Sequence, residues 1–444
     1  MTTAARRPAD AAYRSIRPLH HLRPVHRLAA AAALLLSGAA ATHAAPVWVS
    51  MDEAAFQVLQ AQRIAHTEVE RHALPASTER LSRPGHEALV ILQAEEDDLA
   101  RLSLAAHQAL HRCGGFMVHE SRQEARQAVA AADRHLRQGR MATQATVPDY
   151  RLNDQSKVNP LLPQLKESEI LATISKLQSY TNRYYRHNVG ARASNELADS
   201  WRALAPGRTD VTVSQFNHPN FVQKSVILEI RGTVAPEEII VIGGHLDSIT
   251  PQAVLRPGGR APGADDDASG IATLQEVMRV LLQSGYKPER TIQFIGYAGE
   301  EAGLLGSKDI AKAYAAQGRN VMGALQLDMT DYKGSSSDIT LITDYTNAPQ
   351  DDFVAALAAG YLPELKVVRD VCGYACSDHA SWTANGYAAS FPFEAAFGED
   401  NPRIHTTKDT LSQIGNSAAH ALKFARLALA YAVELGSDHG PAAP

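Results

Sequence analysis

Apolar runs that alternate with helical segments occupy the chain from about residue 148 onward. The runs have the length and β-branched composition of buried strands. The helical segments between them carry apolar residues at helical spacing, most clearly in "GIATLQEVMRVLLQSG" (residues 270–285). Strands that alternate with helices predict an α/β sheet covered on both faces. The predicted strands are residues 225–230, 238–244, 291–299, 324–329 and 339–343.

Histidine and carboxylate residues stand where these predicted strands end. Ligands of open α/β sheets bind outside the carboxyl ends of the strands, so side chains at these ends are expected to meet in one crevice. A triplet of aspartates also precedes the long helix at 270–285. The residues concerned are His245, Asp247, Glu300, Glu301 and Asp328 at the strand ends, and Asp265, Asp266 and Asp267 before the helix.

Each of these residues has an ordinary explanation when it is taken alone. His245 could be a hydrogen-bonded structural histidine, and the aspartates could cap the helix and oppose its dipole. The adjacent Glu300 and Glu301 could lie in a solvated loop, Asp328 in a turn, and His405 at the surface. Their joint occurrence at strand ends is improbable by coincidence. Two histidines with three or more carboxylates predict a site for zinc, with cobalt or manganese as substitutes.

Six motifs follow one another over about residues 150 to 436: "GGHLDS", "PGADDDASG", "YAGEEAGLLGS", "LQLDM", "CGYACSDHASW" and "NPRIHTTKDTL". Together, and in this order, they resemble the motifs of the secreted bacterial leucyl aminopeptidases, a family that uses two zinc ions. The resemblance implies an α/β domain with a mixed, mostly parallel central sheet, helices on both faces, and two zinc ions per chain.

The resemblance also implies a role for individual residues. Asp266 would bridge the two ions, with His245 and Asp328 on one and Glu301 and His405 on the other. Glu300 would be the general base. The remaining implied roles are orientation of His245 by Asp247, a cis peptide bond before Asp267, and polarisation of the scissile carbonyl by Tyr374.

An apolar substrate pocket for leucine or another large hydrophobic side chain is implied by the same resemblance. Taken one by one, each of its residues could equally well be packed in the hydrophobic core. Asp400 departs from the family pattern, which has an aromatic residue there. The implied pocket residues are Met329, Ile342, Phe391, Phe393, Phe397 and Ile404.

The first 44 residues have the pattern of a secretory signal peptide. Several arginines precede an apolar run from Leu28 to Ala41 that is shorter than the ~20 residues of a membrane span. Residues 45–145 are rich in helix-forming residues and predict a largely helical propeptide, whose one strand signal is "EALVILQA". The catalytic domain is expected at residues 146–436, and residues 437–444 form a tail. We therefore expect a secreted precursor, extracellular or periplasmic, whose propeptide covers the active site.

Export makes disulfides possible, and the chain has three cysteines. Cys372 and Cys376 could be a metal half-site or two core thiols, but a short disulfide is favoured in an oxidising compartment. Cys113 is then left without a partner and is expected to be a buried thiol of the propeptide.

The remaining expectations concern partners and competing functions. A formal net charge of −5 gives no reason to expect nucleic acid. We expect a monomer that binds peptides with a free N-terminus and its own propeptide, and that has no stable membrane association once the signal is removed. A metallocarboxypeptidase of the same clan is the first alternative, but only Arg403 is a candidate for binding a substrate carboxylate. A non-catalytic receptor-like homologue is the second, although such homologues lose ligands or the base that this chain retains.

Overall fold

The computed structural model describes residues 46–74, 87–112, 114–138 and 150–437, with the backbone alone of 134–138. The predicted signal peptide (1–44), Cys113 and the predicted tail beyond Ser437 lie outside the described residues. Among the helices that are described, none is both long and apolar enough to cross a membrane.

A mixed eight-stranded sheet forms the centre of the larger part of the molecule. Its order is β11-β10-β12-β9-β7-β8-β6-β5. The neighbours of β7 on both sides, β8 and β9, run parallel to it, whereas β5, β6 and β8 are antiparallel in turn. The strands are Val211–Phe216 (β5), Ser225–Ile230 (β6), Ala235–His245 (β7), Arg290–Tyr297 (β8), Asn320–Gln326 (β9), Ile339–Ile342 (β10), Val367–Asp370 (β11) and Ala389–Phe393 (β12).

Helices cover both faces of this sheet, as the sequence predicts. Successive residues of a strand point to opposite faces: Ile240 and Ile242 of β7 pack in one core cluster and Ile239 and Val241 in another. The helices are Gln155–Val158, Glu167–Gln178, Asn188–Ala203, Pro251–Leu255, Ala268–Gln283, Leu305–Ala316, Ala348–Tyr361, His379–Ala384, Leu411–Ile414 and Ala419–Gly436, with short 3-10 turns at Leu162–Gln164 and Glu300–Ala302.

The parallel strands β7, β8 and β9 end at one edge of the sheet. In the register of the sheet His245 lies beside Tyr297, and Gly243 lies beside Gln326. The chain leaves β8 into the Glu300–Ala302 turn and leaves β9 toward Asp328. The parallel strands thus bring three of the predicted ligand-bearing segments to one crevice.

The N-terminal region, residues 46–138, contains a second sheet, four-stranded and antiparallel where its pairs are described, with the order β2-β3-β1-β4. The prediction of a largely helical region was therefore incomplete, because only β3 had been expected. β1 begins with a proline and has the sequence PVWVSMD, without a clear alternation of apolar and polar residues, and β4 spans four residues, so neither gave a strong signal. The elements are Pro46–Asp52 (β1), Glu53–Ala61 (α1), His66–Ala73 (β2), Ala88–Glu95 (β3), Glu96–Asp98 (3-10), Leu99–Leu110 (α2), Phe116–His119 (β4) and Arg122–Gln138 (α3).

The N-terminal region shares a hydrophobic core with the larger part of the molecule. One buried cluster joins Phe116 and Val118 of β4 to Ala302 and Leu305 beside the Glu300–Ala302 turn. The backbone N–H of Val118 donates to the carbonyl of Gly303 at 3.2 Å. A Cβ on Gly303 would lie 2.7 Å from side-chain atoms of both Phe116 and Val118, and the residue has a φ of +100°, so the site favours glycine.

Candidate metal centre

Five of the predicted ligand residues meet in one buried site at the sheet edge. His245 Nε2 lies 2.9 Å from Asp266 Oδ1 and 3.5 Å from Asp328 Oδ1. His405 Nε2 lies 3.1 Å from Asp266 Oδ2 and 2.7 Å from Glu301 Oε2. The two oxygens of Asp266 therefore face different histidines, which is the arrangement of a carboxylate shared between two cations.

The donor atoms of this site fit a pair of divalent cations. Within the described part of the chain, Glu301 Oε1 and Oε2, Asp328 Oδ1, and the Nε2 atoms of His245 and His405 are buried and make no hydrogen bond. Buried polar atoms are ordinarily satisfied, so their convergence here calls for another partner. Imidazole nitrogens mixed with carboxylate oxygens are the ligand set of zinc, and a cation between them would satisfy these atoms.

Asp267 also lies close enough to His245 and Asp328 to be grouped with them as a possible ligand. Its oxygens are already used, however. Oδ2 accepts the backbone N–H of His245 at 2.9 Å, and Oδ1 accepts those of Gly270 at 2.7 Å and Met329 at 3.2 Å. The Asp266–Asp267 peptide bond is cis, as the resemblance implies. We therefore assign Asp267 to fixing the backbone around the site rather than to the metal.

Asp247 supports two parts of the site at once. Its Oδ1 lies 3.4 Å from His245 Nδ1, the ring nitrogen that faces away from the other ligands. Its two oxygens also accept the backbone N–H groups of Glu300, at 3.0 Å, and Glu301, at 3.3 Å. A carboxylate behind a ligating imidazole fixes the tautomer and orientation of the ring.

Without bound cations, the ionisable groups of the site have strongly shifted pKa values. Burial raises the pKa of Glu301 to about 7, with Asp266 adding to the rise and His405 opposing it. Burial lowers the pKa of His405, but Glu301 and Asp266 outweigh it and raise the pKa to about 10. Burial and the nearby carboxylates Asp328 and Glu301 raise the pKa of Glu300 well above its usual range. Proteins arrange such perturbed groups at functional sites, and bound cations would favour the ionised carboxylates instead.

Glu300 and Tyr374 lie beside this cluster. Glu300 begins the Glu300–Ala302 turn and has 4% of its surface exposed. Tyr374 is buried within the short loop closed by the Cys372–Cys376 disulfide, so the pair is neither a metal half-site nor two free thiols. The disulfide places the Tyr374 ring in the apolar cluster next to the site.

That apolar cluster contains the residues expected to form the substrate pocket. Five of the six line one small cavity together with Asp328, Tyr374 and Asp400. Ile404 packs in the same cluster without lining the cavity. The open space measures about 20 Å³, which admits about one water molecule and no leucine side chain. The five lining residues are Met329, Ile342, Phe391, Phe393 and Phe397.

Arg112 of the N-terminal region is one of the residues that line this cavity. Its guanidinium carbon lies 4.1 Å from the centre of the Tyr374 ring. Two charge-assisted hydrogen bonds, at 2.8 and 2.5 Å, join it to the two oxygens of Asp52, and both side chains are buried. Sequence reasoning did not identify Arg112, because nothing in a helix-forming segment indicates which side chain reaches another part of the fold.

His107 of the same region lies against the metal centre. Its ring centre is 4.7 Å from that of His405, at an interplanar angle of 51°. Burial, reinforced by His405, lowers the pKa of His107 to about 3, so its imidazole is neutral.

Two further residues support the site and were not predicted. Asp409 accepts the backbone N–H groups of Asp265 and Asp266, at 3.1 and 3.2 Å, and so holds the segment that carries the shared carboxylate. Arg183 is fully buried and donates to the carbonyls of Leu246 and Gly263, at 2.7 and 2.8 Å. Asp409 could have been found from its place four residues after His405, whereas Arg183 stands in a segment without a motif.

Comparisons with known proteins identify peptidases as relatives of this chain. A profile described as "Peptidase family M28" matches residues 225–431. The chain is 35% identical over 305 residues to the "Probable aminopeptidase YDR415C" of Saccharomyces cerevisiae, covering 66% of this chain and 80% of that protein. It is 37% identical over 292 residues to "Leucine aminopeptidase 1" of Arthroderma otae, covering 63% and 76%.

Solved structures extend the likeness to the N-terminal region. LapB of Legionella pneumophila superposes with a TM-score of 0.69 at 26% identity, over 88% of this chain and all of that one. The LapA aminopeptidase of the same bacterium gives 0.69 at 27% identity, over 89% and 100%. The resemblance inferred from the motifs is thereby confirmed at the level of the family, while its bacterial and secreted aspects stay predictions. The sequence relatives named above are fungal proteins called aminopeptidases, and this chain belongs to peptidase family M28.

Proposed function

We propose that the protein is a two-zinc aminopeptidase that removes leucine or another large hydrophobic residue from the N-terminus of peptides. The observation that carries the proposal is the geometry of Asp266, whose two oxygens lie 2.9 and 3.1 Å from the Nε2 atoms of two different histidines. The names of the relatives support exopeptidase activity at the N-terminus. His245, Asp266 and Asp328 would hold one ion, and Asp266, Glu301 and His405 the other.

In this mechanism the protein residues position the substrate and move the proton. When bound, zinc supplies Lewis acidity and lowers the pKa of water. The carboxylate of Glu300 accepts the proton of the attacking water and delivers it to the nitrogen of the leaving amine. The hydroxyl of Tyr374 donates a hydrogen bond to the scissile carbonyl oxygen as charge develops there. The apolar walls of the cavity bind the side chain of the N-terminal residue.

The precursor form is part of the proposal. A secretory signal at residues 1–44 would be removed first, and residues 45–145 would then keep the enzyme latent. Arg112 lines the cavity beside Tyr374, and only about 20 Å³ of open space is left there. Both observations support this view, because a leucine side chain does not fit in that space. Removal of the N-terminal region would open the cavity.

Two substrates and two forms of the protein test these statements. A chain starting near residue 146 should bind two zinc ions and cleave leucine p-nitroanilide, but not the same compound with a blocked amino group. Cleavage of the blocked compound would contradict aminopeptidase specificity, and equal activity of the precursor would contradict latency. The carboxypeptidase alternative gains no support, because Arg403 donates to the carbonyl of Gln413 and does not line the cavity.

A further inference from the structure

A pocket of about 290 Å³ lies between the N-terminal region and the larger part of the molecule. One wall of this interface pocket comes from β4, α3 and the segment between them, and the other comes from the helices Leu305–Ala316 and His379–Ala384. Its volume is close to the lower end of the range for small-molecule sites, about 300–1,000 Å³. The described residues that line it include none of those assigned to the metal centre or to the substrate cavity.

Lys308 lines the interface pocket and has no partner for its charge. It is the fourth residue of the helix Leu305–Ala316, and 8% of its surface is exposed. No ion pair or hydrogen bond of its ammonium group is found in the described part of the chain. Lysine is almost never this buried unless it is paired. Lys312, one turn further along the same helix, is paired with Glu120 and lies 3.7 Å from Glu124.

The N-terminal region places a neutral ring beside this ammonium group. His119 of β4 lines the same pocket, and its Nε2 atom lies 2.7 Å from Oγ of Ser50. Burial, reinforced by the positive charge of Lys308, lowers the pKa of His119 to about 3, so the imidazole is uncharged. Docking of the N-terminal region therefore encloses the charge of Lys308 without neutralising it.

The lining of the pocket indicates which kind of molecule would neutralise that charge. An ammonium group binds an oxyanion through short, charge-assisted hydrogen bonds. The side-chain amides of Gln123 and Gln127 line the opposite wall, and Met117 adds apolar surface for a carbon skeleton. Glu124 also lines the pocket and would repel a doubly charged anion more strongly than a singly charged one. These features favour a small molecule with a single carboxylate over phosphate.

We propose that the interface pocket binds the carboxylate group of a small organic acid through Lys308. A simple carboxylic acid and a free amino acid, such as the leucine that the proposed reaction releases, share this chemistry. The amino acid also has an ammonium group, which Glu124 would attract. Because the ligand contacts both walls, it would stabilise the docked N-terminal region. This effect on activation rests on the precursor function proposed above, whereas the binding itself does not.

The test measures binding to three uncleaved precursor proteins by isothermal titration calorimetry. They are the wild type, Lys308→Met, which keeps the aliphatic stem without the charge, and Lys176→Met, which removes the same charge from an exposed position. The ligands are L-leucine, 4-methylpentanoate, leucinamide and inorganic phosphate. The second ligand is leucine without its amino group, and the third is leucine without its carboxylate.

Leucine and 4-methylpentanoate should bind the wild type and Lys176→Met equally well. Both should bind Lys308→Met at least about tenfold more weakly, as for loss of a hydrogen bond to a charged group. Leucinamide should not bind. Tighter binding of leucine than of 4-methylpentanoate would identify a free amino acid as the ligand, and equal binding would identify carboxylic acids in general. The proposal is overturned if neither acid binds saturably, if Lys308→Met binds them as well as the wild type does, or if phosphate alone binds.

A second variant and a second measurement complete the test. Ala384→Leu would fill the pocket without changing its charge, and it should abolish binding even if Lys308→Met does not fold. Leucine at ten times its Kd should slow proteolytic removal of the N-terminal region about tenfold in the wild type, because it binds only the docked state, and not in Lys308→Met. Peptidase activity of the uncleaved chain would contradict the proposed latency, and the calorimetry would still decide whether the pocket binds carboxylates.

Discussion

Asp247 and Glu300 are joined by a hydrogen bond of 3.0 Å from the backbone N–H of Glu300 to Oδ1 of Asp247, the same oxygen that lies 3.4 Å from the ring of His245. One carboxylate therefore couples the orientation of a metal ligand to the position of the proposed general base. Both Asp247 and the turn that carries Glu300 are buried, so water cannot replace the bond.

Asp247→Asn should weaken zinc binding by about 10–100-fold, because the amide no longer fixes the imidazole of His245. Its NH2 group would also face one of the two backbone N–H groups that now have an acceptor. Competition with a chelator measures the affinity. The matched control is Asp309→Asn, since Asp309 forms a similar pair with His218 at 2.8 Å outside the metal centre. Equal losses of affinity in both variants would contradict a specific role for Asp247.

Glu300→Gln should reduce kcat by about 10²–10⁴-fold while two zinc ions stay bound, because the variant loses proton transfer and keeps the ligands. The assay uses a chain starting near residue 146 with leucine p-nitroanilide, and zinc is measured in the same sample. Glu301→Gln provides the contrast, since it should lose zinc as well as activity. Substantial turnover by Glu300→Gln would refute the proposed mechanism.

Removal of zinc should destabilise the protein more as pH rises. In the zinc-free site the pKa of Glu301 is raised to about 7 and that of His405 to about 10. The folded zinc-free protein therefore binds more protons than the unfolded chain from about pH 4.5 upward, and its stability falls as these protons leave. Zinc binding needs the deprotonated groups and strengthens over the same range. The difference in Tm between zinc-loaded and chelator-treated protein should grow from pH 5 to pH 8. A difference that is constant or shrinks would show that these groups do not bind the metal.

Asp52→Asn in the precursor should weaken the hold of the N-terminal region on the active site. Arg112 would lose its ionised partner inside the protein, and breaking a buried ion pair typically costs about 3–5 kcal/mol. We expect faster proteolysis of the N-terminal region and measurable cleavage of leucine p-nitroanilide by the uncut chain. Asp98→Asn is the control, because its pair with the exposed Arg101 contributes at most about 1 kcal/mol. Unchanged latency in Asp52→Asn would exclude Arg112 as an essential part of the closure.

Asp400 should extend the specificity of the opened cavity toward basic side chains. The cavity has apolar walls that suit the stem of an arginine or lysine, and Asp400 is the carboxylate among its lining residues that the metal centre does not use. Burial raises the pKa of Asp400 to about 6, so the group is ionised above that pH. Asp400→Ala should lower kcat/KM for arginine p-nitroanilide relative to leucine p-nitroanilide by about tenfold, as for loss of a hydrogen bond to a charged group. The control is Glu399→Ala at the exposed neighbouring residue, which should leave the ratio of the two kcat/KM values unchanged. An unchanged ratio in Asp400→Ala as well would rule out a role of Asp400 in binding basic side chains.

The parts of the fold that the sequence predicts are those with strong local signals. The strands at 225–230 and 339–343 match β6 and β10 nearly residue for residue, because continuous apolar runs between turns have few alternatives. β5 was missed, since its alternating and partly exposed residues resemble an ordinary loop. In the N-terminal region, β2 has a polar sequence and pairs only because β3 offers it an edge.

The metal centre could be predicted because its residues occupy strand ends, and the sequence pattern indicates where strands end. Residues that reach the site from distant parts of the chain could not be predicted in this way. Arg183 is recognised as a structural cation only when its carbonyl partners surround it. His107 and Arg112 lie in a segment of ordinary helical composition, and only the docking of the N-terminal region brings them to the site.

The core that the N-terminal region shares with the larger part of the molecule would determine the timing of the activation proposed above. Phe116 and Val118 are buried against Ala302 and Leu305, and each large apolar side chain removed from this contact costs about 1.5–3 kcal/mol. A single cut near residue 145 would therefore leave the severed region in place as a tightly bound inhibitor. Activity would appear only when that region is digested, which makes the transition irreversible and sets its rate by degradation rather than by the first cleavage.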